Sequence, residues 1–166
     1  MKTIFKTLFL LVFSLLIFSC SSNDDDSSTP TPEGYYFKAK INGTPFNAVV
    51  PEFGASKSGN IITIACVQGI HKFQLKINNP IDNGVGTYTI PTTTGNTITL
   101  TYENDVVVYQ SGICGSNGTL NITAIENNTI GEISGTFSYT GGNSDDCTLP
   151  QISITEGSFK AIYAGS

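Results

Sequence analysis

Cys66, Cys114 and Cys147, the lone His71, and the acid pairs Glu103/Asp105 and Asp145/Asp146 have the widest chemical range in this 166-residue chain. Thiols bridge, ligate metals or attack, and imidazole and carboxylate groups move protons or bind cations. Their spacing narrows the choice. No Cys-x-x-Cys pair occurs, and His71 is remote in sequence from Cys114 and Cys147, so a zinc site lacks its usual ligand spacing. No Gly-x-Ser-x-Gly elbow presents a serine nucleophile. Asn143-Ser144-Asp145-Asp146 offers oxygen ligands for calcium but lacks the alternate-ligand spacing of an EF-hand loop, and a solvated loop accounts for it. His71 follows Gly69-Ile70 at a turn between strands, where an exposed polar residue is the ordinary occupant. Glu103 and Asp105 lie two apart near a strand end, an arrangement open to carboxylate-pair chemistry, yet a turn beginning at Asn104 explains both acids without it. The expectation is a protein that is not an enzyme and holds neither metal nor cofactor.

The elements that position these residues are strands. Phe37, Ala39 and Ile41 alternate with Lys38 and Lys40, and Asn42-Gly43, suited to a type I′ turn, reverses the chain into Phe46, Ala48 and Val50. Phe73, Leu75 and Ile77 alternate with Lys72, Gln74 and Lys76, and Ile98, Leu100 and Tyr102 with Thr99 and Thr101, so each segment has one wet face. The run Ile61 to Val67 is apolar almost throughout and reads as a central strand covered on both faces; Val106 to Tyr109 reads similarly. Leu120, Ile122 and Ala124 pass through Glu126-Asn127-Asn128-Thr129 into Ile133, Gly135, Phe137 and Tyr139, a second hairpin. Ile152 and Ile154 are out of phase with Phe159, Ala161 and Tyr163, and Glu156-Gly157 is where a bulge supplies the slip. The fold class is all-β, one antiparallel sandwich or closed barrel of about nine or ten short strands.

Within that frame Cys66 falls in the doubly covered strand, as a small apolar filler left unpaired. Cys114 shortly precedes the strand near Gly118, and Cys147 follows the one ending near Tyr139. Pairing of those strands puts both cysteines at the open end of the second hairpin and predicts a Cys114–Cys147 disulfide. Four strands begin with a similar phrase, Gly86-Thr87-Tyr88, Gly118-Thr119-Leu120, Gly135-Thr136-Phe137 and Gly157-Ser158-Phe159. Glycine there is expected to supply unusual backbone, with the large residue entering the core.

Ahead of the β-rich region, Lys2 and Lys6 precede an apolar run from Leu8 to Phe18, eleven residues. About 20 are needed to span a bilayer, whereas the core of an export signal needs roughly 7 to 15. Ile17-Phe18-Ser19-Cys20 resembles a bacterial lipobox, although Phe18 stands where a smaller residue is usual. The resemblance implies an acylated Cys20 as the mature N-terminus and membrane as a partner through that lipid. Residues 1–19 thus read as a lipoprotein signal peptide, 20–33 as a disordered Ser-, Pro- and acid-rich linker, and 34–166 as one β-rich domain. Asp24, Asp25 and Asp26, close behind the cysteine, resemble a surface-export signal of Bacteroidota lipoproteins. That places the domain at the outer membrane, facing the cell exterior.

Composition closes off other functions. All 8 basic residues are lysines, against 13 acids. With no arginine and no basic patch, nucleic acid is not expected as a partner. The ordered phrases Ala39-Lys40-Ile41-Asn42-Gly43, Gly86-Thr87-Tyr88, Ile133-Ser134-Gly135-Thr136-Phe137 and Thr155-Glu156-Gly157-Ser158-Phe159 are similar to a domain-of-unknown-function family of Bacteroidota surface lipoproteins. The resemblance implies an outer-membrane lipoprotein with a β-rich domain and carries over no functional residue. The expected function is non-catalytic binding of an extracellular glycan or an envelope protein. Two alternatives are a barrel carrying a small apolar ligand and a glycoside or ester hydrolase built from distant residues.

Overall fold

The computed structural model describes residues 34–78, 84–90 and 98–165. The leader, Cys20 and the linker with Asp24, Asp25 and Asp26 lie outside them. Alternating apolar and polar residues give eleven strands and no helix among the described residues. They are β1 (Tyr36–Ile41), β2 (Thr44–Ala48), β3 (Phe53–Ser58), β4 (Ile61–Gln68), β5 (His71–Asn78), β6 (Gly86–Ile90), β7 (Ile98–Asn104), β8 (Val107–Gln110), β9 (Gly118–Ile125), β10 (Ile130–Asn143) and β11 (Ile152–Gly165).

Hydrogen-bonded neighbours run β2-β1-β11-β3-β4-β5-β7-β8-β10-β9-β6, and β10 also pairs with β11. That additional pairing closes β11, β3, β4, β5, β7, β8 and β10 into a ring, so sandwich and barrel merge in one architecture. One side is β2-β1-β11-β10-β9-β6 and the other is β3-β4-β5-β7-β8. Two thin seams join them. β11 meets β3 through three residue pairs, Tyr163↔Ala55 to Gly165↔Lys57, and β10 meets β8 through two, Gly142↔Gln110 and Asn143↔Tyr109.

The β11–β3 pairing is parallel, a departure from the antiparallel expectation. Connectivity explains it. β1 runs antiparallel to β11 over its Ile154 to Lys160 stretch, and β2 returns beside β1. The chain continues through Val49–Glu52 in the direction it already has and takes the remaining edge of β11 as β3.

The interior is filled where the two sides face each other. The Phe37 ring of β1 lies 5.2 Å from Phe73 of β5 and 5.3 Å from Phe137 of β10, and Phe73 lies 4.9 Å from Tyr102 of β7. These separations fall within the range of favourable aromatic pairs. Most inward positions foreseen from the alternation are buried, among them Ala39, Leu75, Ile77, Leu100, Leu120 and Ile133, but Val50, beyond the end of β2, and Ala124, near the end of β9, are exposed, and Ile41 is half-buried.

Asn42 and Gly43 make the first turn at φ 48° and 85°, left-handed values that Asn and Gly tolerate best. The slip in β11 sits where expected. Lys38 pairs with Ser158 but Lys40 with Thr155, and Glu156 takes φ 51° to absorb the extra residue.

Three expectations change. β4 is covered on one face only: Ile62, Ile64 and Cys66 are buried, while Ala65 and Val67 are exposed. Its apolar run misled because Ile61, Ala65 and Val67 occupy outward positions where β-branched or small residues suit a strand without being covered. Val106 is not in a strand but at a turn, 86% exposed. The glycines of the repeated phrase differ in role. Gly86 takes φ 153°, whereas Gly118, Gly135 and Gly157 allow close approach. A Cβ at Gly135 would lie 2.4 Å from the Asn121 carbonyl oxygen and 3.0 Å from the Phe159 ring.

Candidate functional site

The second hairpin forms as foreseen, β9 against β10 with Leu120 opposite Phe137, and it brings Cys114 and Cys147 together. They are disulfide-bonded with Cα atoms 5.1 Å apart. Around the bridge lie the buried polar side chains of the described residues, Ser111, Ser116 and Asn143. Ser111 Oγ accepts from the Leu100 amide at 3.0 Å, Ser116 Oγ donates to the Gln110 carbonyl at 3.1 Å, and Asn143 Oδ1 accepts from the Asp145 amide at 2.8 Å. Each satisfies a backbone group near the bridge, in β7, at the end of β8 and in the loop after β10 respectively. The disulfide and these bonds serve the architecture.

Among the described residues Cys66 is the free cysteine, fully buried in β4. Burial, and secondarily the Glu52 charge, pushes its thiol up to about 12. A thiol held protonated and out of reach is a poor nucleophile and metal ligand. An aromatic disulfide reagent is therefore expected to titrate no thiol in the native, non-reduced domain and one Cys66 thiol after unfolding; rapid native labelling would contradict this placement.

The remaining candidates are absorbed locally. His71 is not a plain turn residue. It opens β5 half-buried, its Nδ1 is 2.7 Å from the Tyr102 hydroxyl, and its ring meets Phe46 edge-on. Sequence placed it correctly beside Gly69-Ile70 but gave no sign of Tyr102, brought opposite Phe73 by the β5–β7 pairing. Glu103 and Asp105 flank one cation: Glu103 holds the Lys72 ammonium at 2.5 Å, and Asp105 sits in the turn at φ 32° with its charge acting on the same lysine. In the 143–146 loop, Asp146 is engaged by both the amide and hydroxyl of Thr148, at 2.8 and 2.7 Å. Those bonds hold its carboxyl below the ordinary aspartate value. Among the described residues no group of three or more His, Cys, Asp or Glu side chains could hold a metal ion.

What strand order assembles, and sequence did not show, is a hydroxyl-bearing outer face on β6, β9, β10 and β11. One row across the strands runs Thr87, Asn121, Thr136, Ser158; another runs Thr89, Thr119, Ser138. The hydroxyls of Thr119 and Ser138 are 3.3 Å apart, as are Thr87 Oγ1 and Asn121 Oδ1. Beside these rows lies an open trough of about 400 Å³ whose walls carry the hydroxyl and amide side chains of Thr89, Asn117, Thr119, Ser138, Thr140 and Thr155 together with Tyr139 and Ile154, so that apolar as well as polar surface faces it. Among the described residues no charged side chain lines it. Nearby charges answer one another, Lys40 with Glu156 at 2.7 Å and Lys160 with Glu132 at 3.2 Å. In the sequence these residues are simply the polar halves of separate alternations, and only the cross-strand register makes them neighbours.

A disulfide-pinned β-domain, with eleven strands among the described residues, a filled interior and a trough edged by hydroxyl groups, is the class that the fold and site define. The chain belongs to the family described as Domain of unknown function (DUF6252), which matches residues 34–163. No curated protein and no solved structure matches it.

Proposed function

We propose that the chain is a lipid-tethered, non-catalytic binding module of the outer membrane that uses the trough between β6, β9, β10 and β11 to hold a neutral extracellular glycan. The supporting observation is the trough itself: hydroxyl and amide groups that both donate and accept, with no lining charge to select an ionic ligand. A glycan presents the same donor and acceptor pattern. The chain has no Trp to serve as a stacking platform, so affinity rests on many weak hydrogen bonds. The apolar-carrier alternative needs interior room, and between the two sides Phe37, Phe73, Phe137 and Tyr102 occupy the space in ring contact.

The test is migration of purified protein through native gels containing dextran, xylan or laminarin, with alginate as an acidic comparison. Retardation by at least one neutral polymer is expected, with a several-fold loss in Ser138→Glu and Thr119→Glu proteins of unchanged circular dichroism. Unaltered migration in all neutral gels ends the glycan proposal.

The tether has its own test. A single acyl chain gives only marginal attachment, and the two or three chains of a bacterial lipoprotein cysteine would hold stably. Clickable fatty acid supplied to cells is expected to label the wild type and not Cys20→Ala. Protease added to intact cells should remove the wild-type domain and spare one in which Asp24, Asp25 and Asp26 are alanine. An unlabelled wild type refutes the anchor, and equal shaving of both proteins refutes the export role.

A further inference from the structure

We infer that the Cys114–Cys147 disulfide is a redox latch on the β8–β10 seam, and that its reduction lets the ring open there while the rest of the domain stays folded. Several independent observations meet at this place. The seam is the thinner of the two that close the ring, two residue pairs against three. β8 has only four residues, all half-buried, so little apolar surface holds it down. Beside one further backbone bond across the seam, from the Ser144 amide to the Val108 carbonyl at 2.9 Å, part of the corner's backbone is bonded to the Ser111, Ser116 and Asn143 side chains, and rotation of Asn143 alone releases two of these bonds.

Behind the seam lies an unsatisfied group. The Tyr139 hydroxyl is buried without a hydrogen-bond partner. Its ring lies near the place where Gly141 meets Tyr109, since a Cβ added at Gly141 would sit 2.9 Å from Tyr109 Cβ and 3.3 Å from Tyr139 Cε2. Tyr109 in turn stacks on Tyr102 at 6.1 Å. An orphaned buried hydroxyl carries a desolvation cost that vanishes on contact with water. Opening at β8–β10 that admits water to this hydroxyl therefore relieves that cost.

The latch is placed to resist that opening. Cys114 lies on the segment crossing from β8 to β9, and Cys147 on the exposed loop beyond β10, so the bond ties the chain leaving one side of the seam to the chain leaving the other. Cys147 is exposed and Cys114 half-buried, so the Cys147 side is where a dithiol reductant attacks. Attack by one of its thiolates forms a mixed disulfide with Cys147 and leaves the electron pair of the broken S–S bond on Cys114, which takes a proton. The second thiol displaces Cys147, so the dithiol is oxidised to its disulfide and the protein gains two thiols.

Hydrogen exchange of the full chain, read by mass spectrometry before and after dithiothreitol, tests the latch. Reduction is expected to speed exchange in segments 107–116 and 141–152 at least tenfold more than in 61–78, and reoxidation should restore the slow rates. A Cys114→Ser/Cys147→Ser protein should show the open pattern without reductant. Tyr139→Phe, which removes the orphaned hydroxyl and keeps the ring, should slow seam exchange several-fold in the reduced protein only. Acceleration spread evenly over all strands, or no acceleration at the seam, overturns the inference.

Discussion

Phe137→Ala is expected to destabilise the domain by about 3 to 5 kcal/mol, whereas Thr136→Ala, one residue away, is nearly neutral. Phe137 is 4% exposed, with its ring 5.3 Å from Phe37 and 6.3 Å from Phe159. It also covers Gly157, where an added Cβ would stand 2.6 Å from the ring. Truncation removes aromatic area and leaves a cavity that the neighbours cannot fill, because Gly157 has no side chain and Phe37 is held on its other flank by Phe73. Thr136 points outward between Asn121 and Ser158 and loses only an exposed hydroxyl and methyl group. Urea unfolding of both variants measures the difference. Similar losses at the two positions would mean that β10 faces the opposite way.

That contrast rests on facing, which period-two alternation makes legible without a structure. The Asn42-Gly43 turn and the bulge at Glu156 were legible for similarly local reasons: residue types that tolerate left-handed backbone, and a break in phase that only an extra residue repairs. The disulfide followed one step further, because two strands joined by a short turn leave few choices for cysteines beyond their open end.

Ring closure was another matter. It depends on β10 reaching both β11 and β8, and on β11 lending one edge first to β1 and then to β3. These pairings join residues far apart in sequence, and nothing local distinguishes a strand with two neighbours from one with three. The close-approach glycines were misread for the same reason. Gly135 is small because Asn121 and Phe159 come close to it, and neither contact is written near Gly135. The polar trough failed to show because an outward Thr on one strand becomes a binding surface only once its neighbours are known.

Removing the Cys114–Cys147 bond by Cys114→Ser/Cys147→Ser is expected to cost about 4 kcal/mol of global stability, the chain-entropy value for a closed loop of this size. The two residues are 33 apart in sequence, so reduction restores considerable freedom to the unfolded chain. This effect acts on the unfolded state and is felt by every strand alike in the unfolding midpoint. Seam opening acts on the folded state and is felt near β8 and the end of β10. The two are separable because they have different readouts: a lowered urea midpoint for the first, and exchange that accelerates more at the seam than in the core strands for the second. A double-serine protein whose urea slope falls together with its midpoint would show that a partly open form is populated during unfolding. An unchanged midpoint would show that the loop was already restrained in the unfolded chain, removing the entropic account while leaving the seam measurement to stand by itself.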